Sequence, residues 1–382
     1  MIIERITETR QFEALEQEWR ALESRLPRLP FVGYDWAHAW WKHLHAESPG
    51  VCDTLATRAF RDARGELIGV APLMITRRPG RGPIALRQLH FFGADPNITE
   101  IRTLAAPPER AAELFTALLD DLRQSASDWD FAQLTGVPAA DSGGLNFAAF
   151  RSARWVQDVP NFYLTLQPTW EDFKTRLPRN IKESLRKCYN APKRDGVVLE
   201  HVVVRESSAV REAVGEFLRL HELRSKVEDA VQHKNVFRNP ATREFLFDVC
   251  EAFARQDRLR IFQVRIGGAV VATRIAICCQ ESLYLYYSGY DPEYGRYSVM
   301  TTTVAEAIQF AIREGFATVN LSTGSDVSKL RWNPEQTSYR DAFLVSPSLR
   351  GVASHRAHSW ILRQVERPQV RAFLKQHWSR NL

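Results

Sequence analysis

Cysteine is scarce in this sequence: five residues in 382, at positions 52, 188, 250, 278 and 279. The number is odd and no spacing repeats the paired ligands of a zinc site, so neither a disulfide framework nor a metal centre is expected. Cys278 and Cys279 lie inside an apolar, strand-like run and read as small buried residues of a reducing compartment. Long apolar runs are missing as well. No stretch of 18 uncharged apolar residues occurs, so no helix is expected to span a bilayer. The opening MIIERITETRQF has no basic segment leading into an apolar one, so no secretion signal is visible and the expected location is the cytoplasm. Low complexity is absent too, with 19 Gly and 19 Pro, and 45% hydrophobic against 25% charged residues is a folded composition.

An excess of one charge is missing from most of the chain. The formal net charge is +6, yet residues 347–382 hold seven basic residues (Arg350, Arg356, Arg363, Arg367, Arg371, Lys375, Arg380) against Glu366 alone. The body is left with 44 residues of each sign. A protein that tracks a phosphate backbone spreads Lys and Arg over its working surface, so the count argues against nucleic acid as a partner. One local basic stretch remains, residues 168–196, with eight basic and four acidic residues, which reads first as a solvated helix face.

What is present is a repeated order of elements. After an opening strand, Phe12, Leu15, Trp19 and Leu22 recur at helical spacing, and YDWAHAWWKHL forms a second, aromatic helix. TLATRAF, ELIGVAPLMIT and LRQLHFFG read as strands, RAAELFTALLDDLRQ as a helix and WDFAQLTGV as a strand. From Leu259 the same order returns. LRIFQVRIG, AVVATRIAICC and LYLYYSGYD read as strands, MTTTVAEAIQFAIRE as a helix with Gly315 as its stop, and ATVNLST as a strand. Gly65 and Gly267 open corresponding hairpins. The expectation is an α/β (α+β) protein with two tandem domains, residues 1–165 and 166–345, each with a mixed central sheet, followed by a helical tail over 346–382.

Three strands, a helix and a strand resemble the core of the GNAT acyltransferases, and the duplication resembles their FemAB-type, CelD-like branch. FVGYDWAHAWWKHL, GELIGVAPLMI, LPRNIKESLRKC, LRLHELR and YYSGYDPEYGRYS carry the match, over roughly residues 1–345. The resemblance implies direct transfer of an acyl group from acyl-CoA to an amine, without a covalent enzyme intermediate. A splayed strand would polarise the thioester carbonyl, a helix N-terminus would receive the pyrophosphate, and a base would deprotonate the amine. In Fem-type relatives the donor is aminoacyl-tRNA. No long helical arm interrupts the second domain and the body is neutral, which weighs against that donor here.

Carried onto this chain, the polarising strand is LYLYYSG and the phosphate loop is Tyr294, Gly295, Arg296, Tyr297, Ser298 and Val299, continuing to Met300. The loop departs from the family pattern, with Val299 where a glycine is usual and Thr301 where a small residue is. The resemblance favours His221 as base, with Arg224 on the same side of its helix as an anion clamp. Their alternatives are a half-buried helix histidine and a solvated arginine. Asp291 either orients the acceptor or caps the turn before Pro292. Tyr290 lies at the loop and serves as a proton donor to the leaving thiolate or as channel wall. Lys329 is either an anion contact of the acceptor cleft or a solvated loop lysine. The first domain's LHFFGADPNITE has no basic residue at the matching loop, so that domain reads as a degenerate partner forming one wall of a shared cleft. The tail has apolar residues at three- and four-residue steps with Trp360, Phe373 and Trp378 among them. It reads either as a helix on an anionic membrane surface or as one packed on the body. The acceptor expected is a small molecule or lipid: a long-chain amine of sphingoid type, or a cell-envelope sugar precursor. A non-catalytic subunit of envelope biosynthesis is the remaining alternative.

Overall fold

These periodicities become, in a computed structural model that describes residues 1–80, 85–93, 97–227 and 233–365, the following elements. The first half holds β1 (Ile2–Ile6), α1 (Thr9–Ala14), α2 (Glu16–Leu22), α3 (Tyr34–Leu44), β2 (Cys52–Leu55), β3 (Thr57–Arg61), β4 (Leu67–Ala71), β5 (Leu73–Arg78) and β6 (Leu86–Phe91). It closes with α4 (Ala111–Gln124), β7 (Phe131–Pro138), the short α5 (Ala139–Ser142) and β8 (Ser152–Thr165). The second half opens with α6 (Trp170–Arg176), α7 (Arg179–Arg194), β9 (Glu200–Val204), α8 (Ser207–Ser225) and α9 (Pro240–Arg255). It continues through β10 (Leu259–Ile266), β11 (Ala269–Cys279), β12 (Ser282–Tyr290), α10 (Val299–Arg313), β13 (Thr318–Thr323), α11 (Val327–Leu330) and β14 (Glu335–Val345). The tail begins as α12 (Leu349–Val365).

The repeated order is therefore real, and the two mixed sheets are joined into one. Eleven strands follow the order β2-β5-β6-β7-β14-β8-β13-β12-β11-β10-β9, and β1, β3 and β4 form a small second sheet. Within the large sheet only β6/β7 and β12/β13 run parallel. The centre is an exchange. β14, the last strand of the second half, pairs with β7 of the first, and β8, the last strand of the first half, pairs with β13 of the second. The exchanged strands also pair with each other, from Ser152 opposite Val345 to Tyr163 opposite Glu335.

Aromatic side chains seal the two halves together. Phe12, Trp19, Phe31, Tyr34, Trp36, Trp40 and Trp41 share one buried cluster with Phe217, Phe237, Phe245, Tyr284 and Tyr286. Trp36 meets Phe245 and Tyr286 edge-on at ring distances of 5.1 and 5.6 Å, a geometry that adds to the burial of their apolar area. At the end of β14, α12 packs close to the strand: a Cβ on Gly351 would lie 2.6 Å from that of Ser346. Arg350 is anchored, donating to Asp130 Oδ1 at 3.1 Å and to the Ala85 carbonyl at 2.8 Å. The rest of the tail expected as an amphipathic surface helix, from Glu366 through Phe373 and Trp378, lies outside the described residues.

Candidate active site

Each parallel pair is short. Gln88–His90 pair with Phe131–Gln133, Ser282–Tyr284 pair with Thr318–Asn320, and beyond these residues the strands diverge. A cleft opens between the diverging strands of each half, and the two clefts differ.

The first is filled by its own chain. Thr103 Oγ1 donates to the Gly136 carbonyl at 2.6 Å, and Thr135 Oγ1 to the Arg102 carbonyl at 2.7 Å. Gly136 has φ +65°, and a Cβ there would stand 2.4 Å from the Arg102 oxygen. Its N–H donates to Asp341 Oδ1 at 3.0 Å. Backbone occupies the space that a thioester would need.

The second cleft receives a carboxylate from the first half. The segment Asn97–Glu100 is held against β12: the Tyr286 hydroxyl donates to the Ile98 carbonyl at 2.6 Å and the Tyr287 hydroxyl to that of Asn97. Trp36 Nε1 fixes Thr99 Oγ1 at 3.1 Å. Glu100 thereby meets the start of the divergence, accepting from the Tyr284 hydroxyl at 2.5 Å and from Ser322 Oγ at 2.9 Å. Burial pushes the Glu100 carboxyl above its ordinary range, although Tyr284, Lys329 and Ser322 each pull it down. Burial also raises Tyr284, and the Glu100 charge adds to the shift. A carboxylate held by two hydroxyls, with its proton affinity raised by burial, is a candidate to take a proton from an amine. The polar cavity in front of it, about 240 Å³, is lined by residues of both halves, among them Glu100, Arg102, Thr323, Tyr339 and Asp341.

The residues picked out from the sequence fall at four places around this point. Lys329 is brought close: its ammonium bonds the Thr323 carbonyl and lies 3.4 Å from Asp326. Its charge pulls the Glu100 carboxyl down, against the effect of burial. Arg224 and Tyr290 meet at the end of β12, the guanidinium 5.9 Å from the ring centroid, with Arg224 also donating to Ser288 Oγ at 3.1 Å. His221 lies behind the strand. It is buried, stacked on Phe217 at 5.4 Å and edge-on to Phe237 and Tyr287, with Nδ1 3.3 Å from the Ser288 carbonyl. Burial, with Arg224 adding to it, lowers His221 to about 4, so it is neutral at pH 7 and a weak proton acceptor. Asp291 caps the turn, accepting the Glu293 N–H at 3.1 Å.

The phosphate loop reads differently in three dimensions. Tyr297 and Val299 are buried in one apolar cluster with Val264, Val271 and Ala272. Gly295 and Arg296 are exposed, with Arg296 4.7 Å from the Tyr297 ring centroid. Ser298 takes the left-handed conformation (φ 54°) and α10 starts after it without a side-chain cap. The Thr301 N–H donates back to the Ser298 carbonyl at 2.8 Å, which leaves the N–H groups of Val299 and Met300 to water or an anion. Because the Val299 side chain is turned into the core, its departure from glycine puts no methyl group over that turn. The residues present fit a phosphate there.

Glu100 carries no signal of its place in the sequence: in ITEIRTLAA it stands among Thr99, Arg102 and Thr103, and nothing in that run marks its carboxylate as buried.

Residues 178–330 match the acetyltransferase (GNAT) domain family. Among solved structures the chain is similar to FemX, with a TM-score of 0.57 and 11% identity over 89% of this chain and 97% of that one. It is also similar to a conserved protein of unknown function from Bacteroides thetaiotaomicron VPI-5482, with a TM-score of 0.51 and 11% identity over 90% of this chain and 100% of that one. A tandem GNAT protein from the clavulanic acid biosynthesis pathway aligns with a TM-score of 0.45, 11% identity, and 91% of this chain and 100% of that one. Curated protein sequences give no significant match. At these identities the structural likeness is one of fold. Residues 178–330 therefore carry a GNAT-type domain, and the likeness of the whole chain to FemX is one of fold.

Proposed function

We propose that the protein transfers an acyl group from acyl-CoA to an amine of a lipid or cell-envelope sugar precursor, in the cleft between β12 and β13. The observation that carries this reading is Glu100: a carboxylate from one half, with raised proton affinity, set where the strands of the other half part. Acyl-CoA supplies an activated carbonyl and a thiol leaving group. Main-chain groups of β12 beyond Tyr284, which have no partner on β13, polarise that carbonyl. Glu100 accepts a proton from the acceptor nitrogen as the N–C bond forms. The C–S bond breaks, and the thiolate takes a proton from Tyr290 or from water. The first turn of α10, with Arg296 beside it, holds the phosphates.

For the acceptor, an apolar cavity of about 400 Å³ lined by Leu104, Ala106, Ala111, Phe115 and Pro138 shares Tyr339 with the polar one, which supports an alkyl chain over a sugar. No helix among the described residues is long and apolar enough to cross a membrane. We therefore place any membrane contact at the basic tail, residues 347–382, on an anionic surface. Sedimentation with anionic vesicles, with and without the tail, tests it, and equal binding in both sinks it.

The function is tested by incubating the protein with acyl-CoA of graded chain length and either a long-chain amine or an amino sugar, following free thiol and amide product. Transfer from aminoacyl-tRNA and none from any acyl-CoA would replace this reading with the Fem-type one. Binding without transfer would leave a non-catalytic subunit.

A further inference from the structure

Buried Arg58 and Arg260 and half-buried Arg87 each have a carboxylate partner: Arg58 lies 2.6 Å from Asp121, Arg260 is 2.9 Å from Asp257, and Arg87 is 3.2 Å from Asp130. A half-buried pair of arginines at the open end of the β12/β13 cleft differs from these. Arg274 of β11 stands directly opposite Ser288 of β12, and opposed residues of an antiparallel pair share one face. Arg224 arrives from α8 and bonds the same serine at 3.1 Å, with its other nitrogen 2.9 Å from His233 Nε2. Among the described residues neither guanidinium has an ion-pair partner. Arg274 Nε is fully enclosed and finds no acceptor. The acid whose charge both feel is Asp326, which is already held by Ser328 and Lys329. The strain registers on Arg274: burial, with repulsion from Arg224 second, lowers it to about 10.

Two like charges drawn partly out of water beside one another, without a counter-charge, are an unfavourable arrangement that an anion would relieve. Guanidinium groups suit oxyanions because their N–H donors match two oxygens at once. We propose that Arg224 and Arg274, bracketing Ser288, form a receptor for a carboxylate or phosphate group carried by one of the two substrates of the cleft. Ser288 Oγ, which accepts from Arg224, is left with its own proton to donate to the same anion. The site is separate from the first turn of α10: it is built from side chains of α8 and β11, with no backbone amide required. It rests on the cleft being the substrate site, but its test needs no turnover.

The test is calorimetry on the full chain with inorganic phosphate and, separately, succinate, in wild type, Arg274→Gln and Arg224→Gln, with thermal unfolding to confirm that each variant is folded. At least one anion is expected to bind wild type, with affinity lowered tenfold or more in both variants. Arg224→Gln, at a half-buried helix position, keeps the test valid if Arg274→Gln does not fold. Phosphate alone binding assigns a phosphorylated substrate group, and succinate alone a carboxylate. No binding of either anion overturns the proposal. So does binding that is unchanged in both variants, because it would lie at α10. A positive result with no acyl transfer from any acyl-CoA would keep the receptor and remove the donor assigned above.

Discussion

At the residue scale the account turns on two side chains that the sequence ranks in the wrong order for their surroundings. His221 has the family resemblance and an ordinary value suited to amine chemistry, but it is enclosed by Phe217, Phe237 and Tyr287. Glu100 looks unremarkable in NITE and becomes the group with a cleft in front of it. Neither environment can be read from spacing, because each is completed by residues more than 60 positions away, Tyr287 and Ser288 for His221 and Tyr284 and Ser322 for Glu100. Replacing His221 by Phe keeps the ring stack and removes the titrating group. In the wild type the unfolded chain binds a proton at about pH 6.5 that the folded state refuses until about 4. Stability contributed by neutral His221 is therefore full above pH 6.5 and lost as pH falls towards 4, by at most roughly 3 kcal/mol. Urea unfolding at a series of pH values should show a flatter acid limb in His221→Phe, with His90, also lowered to about 4 by burial, keeping a share of the slope. Acyl transfer should stay within a few-fold of wild type. A hundredfold loss with folding intact would return the base to His221.

At the element scale, close approach places α8. Gly289 lets the helix lie on β12, since a Cβ there would be 2.5 Å from the His221 nitrogen and 2.7 Å from the Leu220 carbonyl carbon, both backbone atoms. Gly289→Ala must push α8 off the strand, costing about 1–3 kcal/mol in thermal or urea unfolding and weakening the Arg224–Ser288 contact. The α10 turn shows how far a motif can be read. Its missing glycine looked like a defect, yet the left-handed conformation is taken by Ser298 and the Val299 methyls go into the core. Only the backbone could reveal that. A further prediction concerns the apolar cavity beside α4. Ala140 is exposed at its lining, so Ala140→Phe should be tolerated in folding. It should raise KM for long-chain amines several-fold, with little change for short ones and in kcat. Equal KM across chain lengths would remove that cavity from the acceptor site.

At the scale of the whole molecule, hydrophobic period and turn punctuation were enough to show the duplicated order of elements, because each half obeys local rules. The exchange of β8 and β14 was not legible, since a strand's own pattern does not say which sheet it joins. Its consequence concerns the boundaries drawn at 165/166 and 345. Residues 1–165 alone would leave β7 without β14, and residues 166–382 alone would leave β13 without β8, each exposing an unpaired edge and part of the aromatic interface. Expressed separately, the two pieces should be aggregated or molten by near-ultraviolet circular dichroism and gel filtration. Co-expressed, they should recover one folded, active complex. Two independently folded halves would contradict the exchange as the basis of stability. The charge count also changed meaning with the structure: the +6 of the tail includes Arg350, which is committed to Asp130 and the Ala85 carbonyl.

If the first half supplies the base for chemistry in the second, the pH profile of Glu100→Gln will show it. Glutamine can still accept from Tyr284, so the variant should fold at least as stably as wild type at neutral pH, where burying the carboxylate charge is unfavourable. In wild type, kcat/KM for acyl transfer to the amine should rise with pH through an apparent pKa above the ordinary glutamate range, set by burial against the pull of Tyr284, Lys329 and Ser322. In Glu100→Gln that limb should vanish and kcat/KM should fall by about 10²–10⁴. A variant with the wild-type limb and a rate within a few-fold of wild type would contradict the account.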